Sequence, residues 1–148
     1  MLNRLLHFYW GFARGLTVGV RGAVLDGNGK VLLVRHGYAP GWHLPGGGVE
    51  PGESFADALA RELEEEGNVV LKGVPQLHGV FQNIGVSRRD HVAVFIVREF
   101  EWKGPKPPGI EIREAAFFPV GQLADGATTG TRRRLEEILH GAATSALW

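Results

Sequence analysis

The stretch "GGGVEPGESFADALARELEEEGNVV", residues 46–70, decides the reading of this chain. It opens with glycines and a turn and continues with helical periodicity. It then places Glu62, Glu64, Glu65 and Glu66 within five positions. Those four fall in the last turn before Gly67 and Asn68, where a helix presents the negative end of its dipole. Exposed carboxylates there are unfavourable by about 0.3–1 kcal/mol each, and like charges at i,i+4 add a few tenths of a kcal/mol. An arrangement this unfavourable calls for a positive partner.

Ser54 reads as the N-cap of the helix, with Asp57 three residues on completing a capping-box-like start. At about 100° per residue, Phe55, Ala56, Leu59, Ala60 and Leu63 fall on one arc facing the core. Asp57 and Glu64 lie beyond its far side and read as solvated charge. Glu62, Glu65 and Glu66, spaced i, i+3 and i+4, share a face that borders the buried arc. A purely solubilising glutamate has no reason to sit there. Three carboxylates on one face suit a hard divalent cation, which prefers oxygen ligands. The preceding "LPGGGVEPGE" offers backbone freedom and close approach, so its peptide groups are candidates to reach a ligand.

Around this segment the pattern is strand-rich. Thr17 to Asp26 and Lys30 to Arg35 read as strands joined by the turn "DGNG". Val69 to Gln82 reads as one or two strands broken near Gly73 and Pro75. "HVAVFIV", His91 to Val97, is apolar on both faces, as for a central strand covered on two sides. "KGPKPPG", Lys103 to Gly109, is a loop, and Ile112 to Pro119 a further strand. Thr131 is the expected N-cap of a last helix with a Leu135, Ile138 and Leu139 stripe, ended by Gly141. Strands and helices in this order give a layered α/β domain.

The chain has 148 residues, 44% apolar and 22% charged, and is most simply one domain spanning residues 1–148. Lysine plus arginine equals aspartate plus glutamate, 16 against 16, so no global field draws in nucleic acid or an anionic surface. Absence of cysteine excludes disulfides and thiolate metal sites. His7, His36, His43, His78, His91 and His140 contain no i,i+4 pair, so no helical zinc motif is present. The segment "MLNRLLHFYWGFARGLTVGV" is interrupted by Arg4, His7 and Arg14, is too short to span a bilayer and lacks a small-residue cleavage site. Residues 1–15 read as an amphipathic helical extension docked on its own domain. A subunit contact and a membrane-surface helix are the alternatives. The expected location is the cytoplasm.

The stretch at residues 47–69 resembles the Nudix box: Gly, five residues, Glu, seven residues, then Arg-Glu-U-x-Glu-Glu-x-Gly-U, with U apolar. Gly47 and Glu53 open it, and Arg61-Glu62-Leu63-Glu64-Glu65-Glu66 follows seven residues after Glu53. Val69 takes the last apolar place. Asn68 stands where the pattern has Gly, and asparagine is the next most tolerant residue for a left-handed helix exit. A softer likeness runs from about Leu16 to Leu139. The resemblance implies a Nudix fold, a mixed β-sheet sandwiched between α-helices. It further implies hydrolysis of a nucleoside diphosphate linked to another moiety X, by attack of a metal-activated water with Mg2+ or Mn2+. By position it assigns the metals to Glu62, Glu65, Glu66 and the backbone carbonyl of Gly46. Arg61 orients the glutamates and Glu53 supports the loop–helix junction. Glu111 is the choice for a further acid acting as ligand or base, with Glu114 beside it.

Substrate contacts are thinly marked. Arg35, the backbone at Gly47, Phe81 and Arg88 are the candidates, with Arg89, Trp42 and Tyr38 in reserve. For each, edge charge, turn chemistry or core packing is the structural alternative. The expected partner is a small nucleotide, with no membrane and no stable nucleic-acid partner, and a homodimer is left open. The rival functional readings are a catalytically silent Nudix module that binds a nucleotide or protein as a sensor, and a metal-dependent isomerase or RNA-decapping relative.

Overall fold

The computed structural model describes residues 2–148. Twelve elements follow in chain order: α1 (Leu2–Ala13), β1 (Thr17–Val24), β2 (Lys30–His36), β3 (Trp42–His43), β4 (Gly46–Gly48), α2 (Phe55–Gly67), β5 (Val69–Leu71), β6 (Gln76–Gln82), β7 (Asp90–Val97), β8 (Phe100–Trp102), β9 (Ile112–Pro119) and α3 (Thr129–His140). One sheet runs β4-β1-β7-β6, a second β3-β2-β9, and β5 pairs with β8. The β1–β7 pair is parallel, while the other paired strands are antiparallel. This is the mixed α/β architecture expected from the sequence.

Strand alternation divides the core into two layers. Val20 and Val24 of β1 turn toward α2, packing with Leu32, Ala58, Leu59, Leu63 and Val69. Ala23 of β1, with Leu25 just beyond it, turns the other way, toward Leu33, Phe81, Val94 and Leu135 of α3. The central β7 contributes to both layers through Ala93 on one side and Val92 on the other, as its two-sided apolar pattern requires. The acidic helix is thus seated on the sheet through its own apolar residues, leaving Glu64 and Glu65 exposed and Glu62 at the rim.

Three local expectations are corrected. The buried arc of α2 is Ala58, Leu59, Leu63, Glu66 and Gly67, while Phe55 and Ala56 are exposed. The helix is rotated so that Glu66 itself lies under the protein surface. Helix α3 starts earlier than read, with Thr128 as N-cap. Its hydroxyl accepts from the backbone N–H of Thr131, which is fully buried inside the first turn. Finally, α1 does not dock on the domain: residues 4–14 are all exposed. The capping box of Ser54 and Asp57 forms as read, and Gly141 ends α3 in the left-handed region.

Candidate active site

The site is built where the glycine turn meets α2. The backbone N–H of Gly46 donates to Glu66 Oε2 at 2.9 Å. Gly46 has φ of 151°, and a Cβ there would collide with the carbonyl oxygen of Val20. Only glycine lets β4 run this close to β1. A Cβ on Gly47 would meet the carboxylate of Glu62. Gly46 and Gly47 thus each make room for one specific partner, whereas Gly48 faces open space.

Arg61 organises the carboxylates. It donates to Glu53 through Nε at 3.0 Å and Nη2 at 3.2 Å, to Glu62 through Nη1 at 2.7 Å, and to the carbonyl of Gly48 at 3.1 Å. Glu65 Oε2 lies 3.6 Å from the same Nη1. Its hydrogen bonds to the Glu53 and Glu62 carboxylates raise the guanidinium pKa further. One planar, permanently charged group thereby fixes loop, helix and two of the three clustered glutamates.

Glu66 is 8% exposed. Burial pushes its carboxyl up to about 7; the Gly46 N–H and Arg21 pull it down, while Glu62 and Glu111 push it further up. A carboxyl pushed up by burial and by neighbouring carboxylates marks a site short of positive charge. The donor set of three carboxylates and a peptide carbonyl suits an oxygen-preferring divalent cation. Among the described residues no three histidine, aspartate or glutamate side chains stand close enough together to hold a metal ion as they are placed. Glu62 and Glu65 are held by Arg61 rather than by one another.

Beside Glu65 and Glu66 lies a cavity of about 460 Å3, lined also by Lys106, Glu111, Arg113 and Glu114. Glu111 is exposed at this mouth and felt electrostatically by Glu66. Glu114 is engaged with Arg35, whose Nη2 donates to it at 3.1 Å. Arg35 lies opposite Glu114 in the β2–β9 ladder and covers the face of Trp42.

None of the four substrate candidates, Arg35, Gly47, Phe81 and Arg88, lines this cavity. Phe81 is 1% exposed, packed in the α3 layer beneath the guanidinium of Arg134, and has no face free to stack a base. Arg88 belongs to the β6–β7 loop and does not line the acidic cavity.

The sequence reading missed three residues here. Lys106 donates from Nζ to the carbonyls of Glu64 at 2.6 Å and Glu65 at 2.8 Å. It supplies the cation that the last turn of α2 lacks and offsets the dipole cost of the glutamate run. That imbalance was itself the signal that a cation had to arrive from elsewhere. Arg21 donates to the carbonyl of Leu44 at 2.8 Å and adds positive charge behind Glu66. His36 is buried, with Nδ1 3.9 Å from Glu66 Oε1 and neither ring nitrogen hydrogen-bonded. A register shift between Arg35 and His36 accompanies its turn inward. Burial, then Arg21 and His43, lowers its pKa to about 4. Asn68 takes up φ 57° and ψ 36° in place of the glycine of the pattern, and its side-chain amide donates to Gly104 O at 2.9 Å.

The fold and the Arg-Glu helix locked to a glycine turn define the Nudix class of α/β domain. The NUDIX domain matches residues 15–138, and the chain belongs to that family. It is 31% identical over 103 residues to an ADP-ribose pyrophosphatase of Methanocaldococcus jannaschii, covering 68% of this chain and 60% of that protein. It is 42% identical over 77 residues to diphosphoinositol polyphosphate phosphohydrolase 2 of Rattus norvegicus, covering 50% of this chain and 42% of that one. The chain thus matches only part of the length of these relatives. A MutT NUDIX hydrolase from Burkholderia pseudomallei superposes with a TM-score of 0.72 at 26% identity, over 82% of this chain and 97% of that one.

Proposed function

We propose that the chain hydrolyses the phosphoric anhydride of a nucleoside diphosphate linked to a moiety X, in a reaction dependent on Mg2+ or Mn2+. The observation that carries this reading is the Arg61 array. It holds Glu53, Glu62 and Glu65 in one constellation, and Glu65 and the buried Glu66 line a cavity of about 460 Å3. Glu62, Glu65, Glu66 and the carbonyl of Gly46 would hold the cation. When bound, it supplies charge neutralisation of the diphosphate and a lowered pKa for water.

The residues of the chain do the rest. Arg61 keeps the carboxylates oriented, and Gly46 fixes Glu66 against the turn. Glu111, exposed at the cavity mouth, accepts the proton of the attacking water as the new oxygen–phosphorus bond forms. The bridging oxygen–phosphorus bond breaks, and the leaving phosphate departs into the cavity. Lys106 and Arg113 line the same space and are placed to meet phosphate charge. A silent binding module would have less use for the full set of charged positions, all present here.

The test is incubation with nucleoside triphosphates, sugar nucleotides, ADP-ribose, dinucleoside polyphosphates and diphosphoinositol polyphosphate, with each cation and with chelator. Cation-dependent release of a phosphomonoester product supports the reading. Glu65→Gln should lower turnover by about a hundredfold or more, since removing groups that stabilise a charged transition state costs on that order. Its melting temperature should stay near wild type, because the side chain is exposed. Tight nucleotide binding with no product from any compound would overturn the enzymatic reading in favour of a sensor.

A further inference from the structure

Six large apolar side chains of α1, Leu5, Leu6, Phe8, Tyr9, Trp10 and Phe12, stand in water, with Phe8 72% and Phe12 77% exposed. At about 100° per residue they share an apolar arc roughly 200° wide. The remaining arc carries Arg4, His7 and Arg14. An exposed apolar surface this contiguous marks an interaction site. The NUDIX match begins at residue 15, leaving α1 outside the domain the family shares.

The charge carried by the helix itself has one sign. No aspartate or glutamate occurs before Asp26. At the helix exit, Arg89 Nη1 donates to the carbonyl of Gly15 at 3.3 Å, bringing the exposed Arg88–Arg89 pair beside the end of α1. Asp90, next to Arg89 in sequence, accepts from Thr17 Oγ1 and Asn83 Nδ2. The chain has no net charge, so this basic patch is a local asymmetry.

We propose that α1 lies in the plane of an anionic lipid surface. Its aromatic arc enters the headgroup boundary, and Arg4, Arg14 and Arg88 meet lipid phosphates. A helix with aromatic and leucine side chains on one face and arginines on the other has the composition of an interfacial helix. Tyrosine and tryptophan, apolar in body and polar at one tip, suit that boundary. A coiled-coil seam with the same helix of a second copy uses a narrower stripe than this arc, and would set its arginines beside those of that helix, which has no acid to meet them. Among the described residues no helix is long and apolar enough to cross a membrane, so α1 would lie on the bilayer without spanning it. The proposal departs from the expectation of no membrane partner.

The test is co-sedimentation of the full chain with liposomes of phosphatidylcholine alone and of phosphatidylcholine with phosphatidylglycerol in a two-to-one mixture. The wild-type protein should pellet with the anionic liposomes and be released by salt. The double variant Phe8→Asp/Phe12→Asp should remain in the supernatant. Arg4→Gln/Arg14→Gln should partition about thirtyfold more weakly. Both variants lie outside the catalytic machinery and should keep the wild-type melting temperature and nucleotide turnover in vesicle-free buffer. Failure of the wild type to pellet, or equal pelleting by the Phe8/Phe12 variant, overturns the proposal. So does a light-scattering dimer that those two substitutions dissociate, which would assign the helix to a second copy.

Discussion

The backbone N–H of Gly46 and the carboxylate of Glu66 are joined by a 2.9 Å hydrogen bond across 20 residues of sequence. The bond makes the glycine turn and the acidic helix one rigid unit. It also satisfies one oxygen of a buried carboxylate and leaves the other facing His36.

Gly46→Ala should therefore damage fold and site together. Its Cβ would overlap the Val20 carbonyl, and its φ is one that side-chain-bearing residues rarely adopt. A cost of about 2 kcal/mol or more is expected, read as a lower urea midpoint with an unchanged slope. Stability equal to wild type would show that β4 can move away from β1 and that the close approach is not required.

Glu111 and Glu114 are separated by their partners. Glu114 is paired with Arg35, whereas Glu111 is exposed at the cavity mouth. Replacing Glu111 by Gln should lower kcat by about a hundredfold with little change in KM, as for loss of a general base. Glu114→Gln should leave kcat within about twofold, the loss of an exposed pair being small. The reverse pattern would move the base to Glu114.

In chelator, stability against pH should expose opposing titrations. Glu66 has its pKa raised from 4.5 to about 7, so its contribution is full below 4.5 and is lost as pH rises through 7. His36 has its pKa lowered from 6.5 to about 4, so its contribution is full above 6.5 and is lost as pH falls toward 4. These two groups oppose each other in the wild type. Glu66→Gln should unmask the His36 trend, with stability climbing between pH 4 and 6.5 in urea titrations. Mg2+ should raise the wild-type melting temperature more at pH 8 than at pH 5, where the cation must displace a proton from Glu66. A cation effect that does not change with pH would remove Glu66 from the ligand set.

Phe81 should behave as core. Arg134 lies 3.8 Å over its ring and donates to Glu137 at 2.7 Å, while His78 Nε2 sits 2.9 Å from the other oxygen of Glu137. Arg134 also donates to the carbonyl of Leu147 at 3.1 Å. Phe81→Ala and Arg134→Ala should each cost about 3–5 kcal/mol, one by a cavity and the other by stranding a buried carboxylate. Phe81→Leu, the milder change, should fold and keep KM near wild type. A raised KM with undiminished stability would return Phe81 to the list of substrate contacts.

The sequence determined the helix, its caps, the glycine turn and the spacing of Arg61, Glu62, Glu65 and Glu66. All of these are set by local periodicity and by contacts within one short segment. The longer strands β1, β2, β6, β7 and β9 were equally legible, since alternation is a property of consecutive residues, whereas the short β3, β4 and β8 are too brief to show it and were not read. Tertiary structure alone decided that Glu66 is buried, that His36 and Arg21 stand behind it, and that Lys106 closes the helix end from 41 residues away. It also placed Phe81 in the core and left α1 undocked. Those outcomes depend on which surfaces meet when the two sheets and helices pack. Periodicity gives the direction of a side chain from its own backbone, but not which distant group will occupy the space in front of it.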